Sequence, residues 1–265
     1  SALSGFLDRS CYKNKNNPTV LFGILNEPTG SSWAVWRNGN GSDITGHQQV
    51  VEMIRDLGAK NIIVAGGLDY AYDLKGIAGK AKNDPTVYAL IDQGSNNDLS
   101  KAGNGIIYDT HIYPWKGRTS NWDATVGDVR KQYPILVGEN GWDAGDIKTI
   151  SGKTYYPGEA MYYDKWVPEL FAWMNDEETY GNLANWTGWC FHPMSSPRIL
   201  EDKANWKNDD TYDYPPTEYW GVFVKRQLKS DLGNNISFHK SVTGSATDSG
   251  YDISNAVDDD PETLW

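Results

Sequence analysis

The fold of this chain is indicated most strongly by residues 18–28, Pro-Thr-Val-Leu-Phe-Gly-Ile-Leu-Asn-Glu-Pro. The apolar run is too short for a helix and is rich in Val, Ile, Leu and Phe, which is typical of a parallel strand covered on both faces. Pro28 has no amide hydrogen to give to a sheet, so the strand must end there and open into a loop. We therefore predict a buried strand that presents Glu27 at its carboxyl end.

A glutamate at the end of a buried strand needs a partner or a function, because desolvation of an unpaired carboxylate is costly. Taken alone, Glu27 could equally be a structural residue that caps or pairs at the strand end. The segment Tyr133–Trp142, Tyr-Pro-Ile-Leu-Val-Gly-Glu-Asn-Gly-Trp, is a second short apolar run, and it ends in Glu139. Two strands that each end in a single glutamate favour a shared function.

Two further segments bring chemically active side chains to strand ends. Ile106–Trp115 carries His111 and Tyr113, and the segment 185–193 carries tryptophans, among them Trp189. A single His or Tyr at a strand end is more often structural. The whole set in this order is hard to assemble by chance, so we interpret the four segments as one site.

These segments resemble glycoside hydrolase family 5, the cellulase family of retaining β-glycosidases. In that family, an Asn-Glu-Pro sequence ends the fourth strand of a (β/α)8 barrel. The resemblance implies that Glu27 is the general acid/base and that Asn26 binds the 2-hydroxyl of the sugar being cleaved. It also implies that Glu139, at the end of strand seven, is the nucleophile.

The resemblance extends to residues that would bind the substrate. His111 and Tyr113 match the His-x-Tyr sequence after strand six, and Trp189 matches the tryptophan platform of strand eight. The chemistry requires a similar arrangement independently of the family. Cleavage with retention needs an acid and a nucleophilic carboxylate about 5–5.5 Å apart, and neighbouring strand ends can supply that spacing.

The chain is rich in aromatic residues, with twelve tryptophans and sixteen tyrosines. Flat aromatic rings can stack on sugars, although most large aromatic residues in any protein belong to the core. The tryptophans that follow the predicted strand ends are additional candidates for the substrate cleft. They are Trp33, Trp36, Trp115 and Trp142.

The net charge of −11 and the isoelectric point of about 4.8 disfavour nucleic acid or an anionic membrane as a partner. A neutral polymer is compatible with this charge, which would also serve the solubility of a secreted protein. The two cysteines, Cys11 and Cys190, do not form a disulfide framework or a metal-binding pattern. We expect no metal or organic cofactor, no membrane insertion, and a monomer that acts on a β-linked polysaccharide or oligosaccharide.

The order of elements predicts an α/β protein with an incomplete (β/α)8 TIM barrel, in which about strands four to eight are present. The early arginine and histidine of the family have no match. Residues 1–232 are therefore expected to be the carboxyl-terminal portion of a catalytic barrel, without its signal peptide. Between the site segments, we predict these elements: a helix capped by Asp43, a strand at 61–67, a short helix at 123–132, a helix at 158–175, strand eight at 185–191 and a closing helix at 216–228.

The last part of the chain changes in character at about residue 233. The segment Ala246–Trp265 contains Asn-Ala-Val-Asp-Asp-Asp-Pro-Glu-Thr-Leu-Trp, which resembles the opening of a discoidin-type β-sandwich. In bacterial enzymes such sandwiches often bind carbohydrate. Residues 233–265 are thus expected to form a linker and the truncated start of such a domain, the alternative being an acidic linker.

Together these observations predict an extracellular retaining β-glycosidase of the cellulase type. Two alternatives remain open at this stage. A β-mannanase or another β-glycanase of the same family would use the same two glutamates, because the loops that select the sugar cannot be interpreted from sequence. A non-catalytic carbohydrate-binding protein would need neither Glu27 nor Glu139, and the presence of both disfavours it.

Overall fold

The computed structural model describes residues 11–30, 32–142, 148–150, 153–155, 166–201, 207, 211 and 213–232. The chain divides into two compact units. The first comprises residues 1–141 and 146–188, and the second comprises residues 142–145 and 189–265. The predicted sandwich start at 233–265 and the first residues of the predicted helix, 158–165, lie outside the described part of the chain.

The first unit is built on a parallel sheet with the strand order β1-β2-β3-β4-β7. Its strands are β1 (Phe22–Gly23), β2 (Ile63–Gly66), β3 (Ile106–Ile112), β4 (Ile135–Asn140) and β7 (Asn185–Trp186). Strands β5 (Lys148–Ile150) and β6 (Lys153–Tyr155) form a separate antiparallel pair. Five parallel strands that follow one another in chain order are what a partial (β/α)8 barrel predicts.

Helices and helical turns connect the strands or follow them. In the first unit the helices are α1 (Tyr12–Asn14), α2 (Trp33–Asn38), α3 (His47–Asp56), α4 (Thr119–Trp122), α5 (Asp128–Arg130), α6 (Trp166–Met174) and α7 (Glu177–Tyr180). The second unit contains α8 (Gly221–Leu232). The short turns are 3-10 helices at Lys75–Ala78, Ser95–Asn97, Leu99–Lys101 and Pro114–Lys116, and a π-helical turn at Asp123–Gly127. Among the described residues, no helix combines the length and the apolar character needed to cross a membrane.

Strand β1 differs from its prediction in length and in burial. Only Phe22–Gly23 forms a ladder, and it pairs with β2 at one edge of the sheet. Leu21 and Leu25 are 47% and 55% exposed, whereas Phe22 is buried. The prediction of a strand covered on both faces is therefore wrong for this chain, because β1 is an edge strand whose alternate side chains face away from the core.

Helix α3 begins later than predicted. Its first residue is His47 and its N-cap is Gly46, so Asp43 does not cap it. The Asp43 carboxylate instead accepts hydrogen bonds from the Asn40 amide and the Ser42 hydroxyl. The buried face of the helix is as predicted, because Val50, Val51 and Ile54 are all in the core.

The other predicted elements occur with shifted boundaries. Strand eight is shorter than the predicted segment 185–191, since β7 ends at Trp186. The closing helix begins at Gly221 rather than at Pro216, and the Gly221 amide donates a hydrogen bond to the Thr217 hydroxyl in the turn before it. The predicted short helix at 123–132 is an extension of α4 that passes through a π-helical turn.

A buried arginine links the segments that precede β2 and β3. Arg55 is 1% exposed, and its Nη1 donates to the carbonyl oxygens of Ala59 at 2.8 Å and Asn61 at 2.9 Å. Its Nε pairs with Asp92, whose other oxygen accepts the amide hydrogens of Gly103 and Gly105. This ion pair therefore fixes the end of the sheet at which the strands begin.

Replacing Arg55 by Met should lower the free energy of unfolding by about 3 kcal/mol, because it leaves the Asp92 carboxylate without its cation and two carbonyl groups without a donor. Urea unfolding followed by circular dichroism measures this change. The matched control is Lys101→Met, since Lys101 is 42% exposed in its ion pair with Asp56. The control should lose about 1 kcal/mol or less. Equal losses in the two variants would contradict the structural role of Arg55.

Candidate active site

The structure brings three predicted site residues together at the carboxyl ends of the strands of the first unit. One oxygen of Glu27, one of Glu139 and a ring nitrogen of His111 all lie within 4.8 Å of one another. His111 Nδ1 is 3.0 Å from Glu27 Oε1 and 3.5 Å from Glu139 Oε2. The three residues come from the segment that follows β1, from β3 and from β4, so the order of the strands in the sheet assembles the cluster.

A register shift between β3 and β4 places Glu139 beside His111. Thr110 pairs with Val137, but the next residue, His111, pairs with Glu139, so Gly138 is left out of the pairing. Side chains alternate between the two faces of a strand, and a shift of one residue therefore changes the face on which a side chain lies relative to its neighbour. Without the shift, Glu139 and His111 would lie on opposite faces of the sheet.

Asp109 occupies the space beside the unpaired Gly138. The Gly138 amide donates to Asp109 Oδ1 at 2.9 Å. A Cβ atom at position 138 would lie 2.3 Å from that same oxygen, so only glycine allows the carboxylate to approach this closely. Asp109 therefore satisfies the amide that the register shift removes from the ladder.

His111 is surrounded by carboxylates on both sides of its ring. The side chain is 3% exposed, and its Nε2 is 3.2 Å from Asp109 Oδ2 while its Nδ1 faces Glu27 and Glu139. Burial by itself lowers the pKa of His111. The hydrogen bond and charge of Asp109, the hydrogen bond of Glu27 and the charge of Glu139 outweigh burial, so the pKa is raised above its ordinary value. The environment thus favours the charged imidazolium.

Glu139 is the more enclosed of the two glutamates. Its side chain is 14% exposed, against 34% for Glu27. The Tyr113 hydroxyl donates to Glu139 Oε2 at 2.8 Å. The Tyr113 ring in turn stacks on Trp115, with centroids 4.8 Å apart and planes 7° from parallel. This stack restrains the phenol that orients the Glu139 carboxylate.

Glu27 occupies an unusual backbone conformation at the end of β1. Its φ of +47° lies in the left-handed region, which costs free energy for a residue with a side chain. The preceding Asn26 is exposed, and the carbonyl of the following Pro28 accepts the Tyr70 amide at 3.1 Å. The turn therefore directs the Glu27 side chain toward His111 while leaving Asn26 accessible.

The side chains of Glu27, Glu139 and His111 could serve either as metal ligands or as the reacting groups of a glycosidase. Two carboxylates and an imidazole within 4.8 Å could in geometry surround a cation. Both ring nitrogens of His111 face carboxylate oxygens, however, and a protonated ring satisfies all of these contacts without a metal. Two glutamates at this separation match the arrangement that a double displacement on a sugar requires.

The predicted cleft tryptophans of the first unit fall into two groups. Trp115 is 47% exposed, whereas Trp33 and Trp36 are 6% and 5% exposed. Trp36 donates from Nε1 to the Gly66 carbonyl at 2.9 Å, and Trp33 packs closely against the backbone of Gly76. Both rings are largely buried around α2, although each lines a cavity next to the segment after Glu27, so their place in a substrate cleft stays a prediction.

Two other candidates, Trp142 and Trp189, belong to the second unit. Trp189 is 40% exposed, and its carbonyl accepts a hydrogen bond from Trp220 Nε1 at 2.8 Å. The ring of Trp142 is buried. Their contribution to a sugar site therefore stays a prediction.

Sequence reasoning did not identify Asp109 as part of the site. The signal was present, because Asp109 and His111 alternate along β3 and therefore share one face of the strand, with Tyr113 two residues further on. What the sequence could not show is the register shift at Gly138, which brings that face against Glu139.

Comparisons with known proteins agree with this geometry. The family model "Cellulase (glycosyl hydrolase family 5)" matches residues 10–195. No curated protein matches the chain by sequence. Among solved structures, the β-glucanase SdGluc5_26A from Saccharophagus degradans is similar with 23% identity and a TM-score of 0.57, over 86% of this chain and 59% of that one.

Two further structures give the same result. SdGluc5_26A in complex with cellotetraose matches at 22% identity and a TM-score of 0.57, again over 86% of this chain and 59% of that one. The catalytic domain of Thermobifida fusca endoglucanase Cel5A (E5) matches at 17% identity and a TM-score of 0.57, over 86% of this chain and 63% of that one.

The chain thus spans less than two thirds of each of these solved structures. Their similarity, together with the parallel sheet, confirms the partial (β/α)8 barrel. Since the family model covers most of the chain, the chain belongs to glycosyl hydrolase family 5, the cellulase family.

Proposed function

We propose that this protein is a retaining β-glycosidase that hydrolyses a β-linked polysaccharide by double displacement. The observation that supports this most is the pair of glutamates, Glu27 and Glu139, whose oxygens lie within 4.8 Å of each other and of His111. Oxygens this close are more compatible with the short carboxyl separation of a retaining enzyme than with the longer separation of an inverting enzyme.

In the first step, a Glu139 oxygen attacks the anomeric carbon while Glu27 donates its proton to the departing glycosidic oxygen. The bond from the anomeric carbon to the leaving sugar breaks, and an ester between the sugar and Glu139 forms. Tyr113 holds Glu139 Oε2 through its hydrogen bond, so the carboxylate is oriented before the substrate arrives.

In the second step, the Glu27 carboxylate accepts a proton from water, and the resulting hydroxide attacks the same anomeric carbon. The ester bond breaks, Glu139 is regenerated as a carboxylate, and the proton on Glu27 restores the starting state. Two inversions at one carbon give a product with the configuration of the substrate. His111 Nδ1 faces both side chains and can stabilise the one that is ionised, which is Glu139 before the first step and Glu27 after it.

The substrate that we favour is a β-linked glucan. The similar structures are described as a β-glucanase, a β-glucanase in complex with cellotetraose, and an endoglucanase. Asn26 is exposed beside Glu27 and can reach a sugar hydroxyl, and Trp115 offers an exposed ring beside Tyr113.

We also propose that the enzyme is extracellular and that residues 233–265 begin a discoidin-type carbohydrate-binding domain.

A second function within the same family is a β-mannanase, which would use the same glutamates. The assay below distinguishes it by substrate. Non-catalytic carbohydrate binding is less well supported, because a binding protein gains nothing from two carboxylates held this close together.

The anomeric configuration of the first product tests the reaction class. The complete gene product is incubated with β-glucan, β-mannan and xyloglucan, and fresh product is followed by proton NMR. Initial release of the β-anomer from β-glucan is expected, since Glu139 inverts the anomeric carbon once and water inverts it again. Initial α-anomer would contradict double displacement, β-anomer from mannan alone would move the substrate to mannan, and binding without product would favour the carbohydrate-binding protein.

Replacing Glu139 by Gln should lower turnover by several orders of magnitude and leave sugar binding nearly unchanged, because the amide keeps the shape but cannot form the ester. Initial rates and calorimetric binding of a cello-oligosaccharide measure the two effects separately. The control is Glu177→Gln, an exposed glutamate in α7. Wild-type turnover in Glu139→Gln would exclude Glu139 as the nucleophile.

Replacing Glu27 by Ala should abolish hydrolysis of the polymer but spare the first step for substrates with a good leaving group. Such substrates need no proton from an acid. Added azide should then rescue the second step and yield a β-glycosyl azide, detectable by mass spectrometry. The matched control is Glu178→Ala, also exposed in α7. Normal polymer hydrolysis in Glu27→Ala would remove Glu27 from the mechanism.

A further inference from the structure

Asp109 makes two contacts that reach different parts of the candidate site. Its Oδ1 accepts the Gly138 amide at 2.9 Å, and its Oδ2 lies 3.2 Å from His111 Nε2. Gly138 directly precedes Glu139 in β4, so one carboxylate touches both the backbone of the nucleophile's strand and the ring that contacts both glutamates. The Asp109 side chain is only 15% exposed, which keeps water from replacing these contacts.

The first contact stabilises the register shift. Gly138 is left out of the pairing between β3 and β4, and a buried amide without an acceptor would cost free energy. Asp109 Oδ1 supplies that acceptor from the neighbouring strand. Because the shift is what places Glu139 on the same face as His111, the position of the nucleophile depends on this hydrogen bond.

The second contact fixes the orientation and the charge of the imidazole ring. A carboxylate at Nε2 requires a proton there. Nδ1 carries a second proton toward Glu27 and Glu139 in the imidazolium, the form that the surrounding carboxylates favour. The titratable groups that face His111 are Asp109 on its own strand, Glu27 after β1, and Glu139 on β4 with the Tyr113 phenol behind it. Removal of the Asp109 charge would thus change the state of a ring shared by both glutamates.

We propose that Asp109 is the positioning residue of this site, which aligns Glu139 through the Gly138 amide and His111 through Nε2 with a single carboxylate. This inference rests on the proposed function, since it assigns Asp109 a role in the reaction of Glu27 and Glu139. The role assigned to Asp109 acts through Gly138 and His111 and not through a contact with the substrate.

Two substitutions separate the two contacts. Asp109→Asn keeps an oxygen for the Gly138 amide but turns an NH2 group toward His111 Nε2, so the register shift is preserved and the charged ring loses its acceptor. Asp109→Ala removes both contacts. The matched control is Asp92→Asn, because Asp92 also accepts backbone amides, from Gly103 and Gly105, but at the opposite end of the sheet.

The first readout is the titration of His111 by NMR in the absence of substrate. The chain contains four histidines, and a His111→Gln variant assigns the resonance. Wild-type His111 should titrate above the ordinary value of about 6.5. Asp109→Asn should lower the pKa of His111, because a nearby negative charge that favours the cation is lost. The control variant should titrate like wild type even where its unfolding temperature is lower.

The second readout separates kcat from KM on the substrate identified above. We expect kcat to fall about tenfold in Asp109→Asn and about a hundredfold in Asp109→Ala, with KM unchanged within about twofold, because misaligned reacting groups slow the chemical step. A Gly138→Ala variant should also lower kcat, since its methyl group would displace the Asp109 carboxylate. If Asp109→Ala does not fold, Gly138→Ala provides the second variant in which the contact between Asp109 and Gly138 is disrupted.

Wild-type kcat in Asp109→Asn together with a wild-type His111 titration would overturn the proposal. A rise in KM with unchanged kcat would overturn it as well, because it would indicate substrate binding rather than positioning. The titration needs no substrate, so its result stands even if Glu139→Gln shows that the proposed function is wrong. Loss of activity in Asp109→Ala alone would restrict the role of Asp109 to the strand register and contradict the double role, because Asp109→Asn keeps the contact with the Gly138 amide.

Discussion

The candidate site depends on one hydrogen bond between two neighbouring strands, from the Gly138 amide to the Asp109 carboxylate. In a regular parallel ladder, His111 would face Gly138, and the Glu139 side chain would lie on the other side of the sheet. The shift by one residue reverses this, and the absence of a side chain at Gly138 leaves space for the carboxylate that supports it. The geometry of the reacting groups is thus encoded in a local irregularity of the sheet.

The two glutamates perform opposite parts of the proposed reaction although their oxygens are within 4.8 Å of each other. Such a pair works only if the surroundings of the two carboxyl groups differ. Glu139 lies in the interior of the sheet and accepts the Tyr113 hydroxyl, whereas Glu27 lies on an exposed turn after the edge strand. His111 Nδ1 contacts both side chains, so its positive charge is available to whichever of the two glutamates is ionised.

The sequence was sufficient to predict the parallel α/β architecture, because apolar runs that end abruptly in polar residues have few other interpretations. It was also sufficient to predict that four side chains lie together at the carboxyl ends of the strands. These are Glu27, His111, Tyr113 and Glu139. It did not distinguish Trp115, which is exposed, from Trp33 and Trp36, which are buried, because residue type alone does not determine which face of a helix meets the core. It could not identify Asp109, since a register shift depends on the pairing of two strands that are distant in sequence.

The edge position of β1 has a consequence for the dynamics of the site. Two ladder residues and a few hydrogen bonds from its flanking segments hold this strand, whereas β3 and β4 pair on both sides within the described sheet. Local opening follows the density of such contacts, so amide hydrogens near Glu27 should exchange with solvent far sooner than those near Glu139. The two glutamates of the proposed reaction are therefore expected to differ in the lifetime of the local structure that holds them.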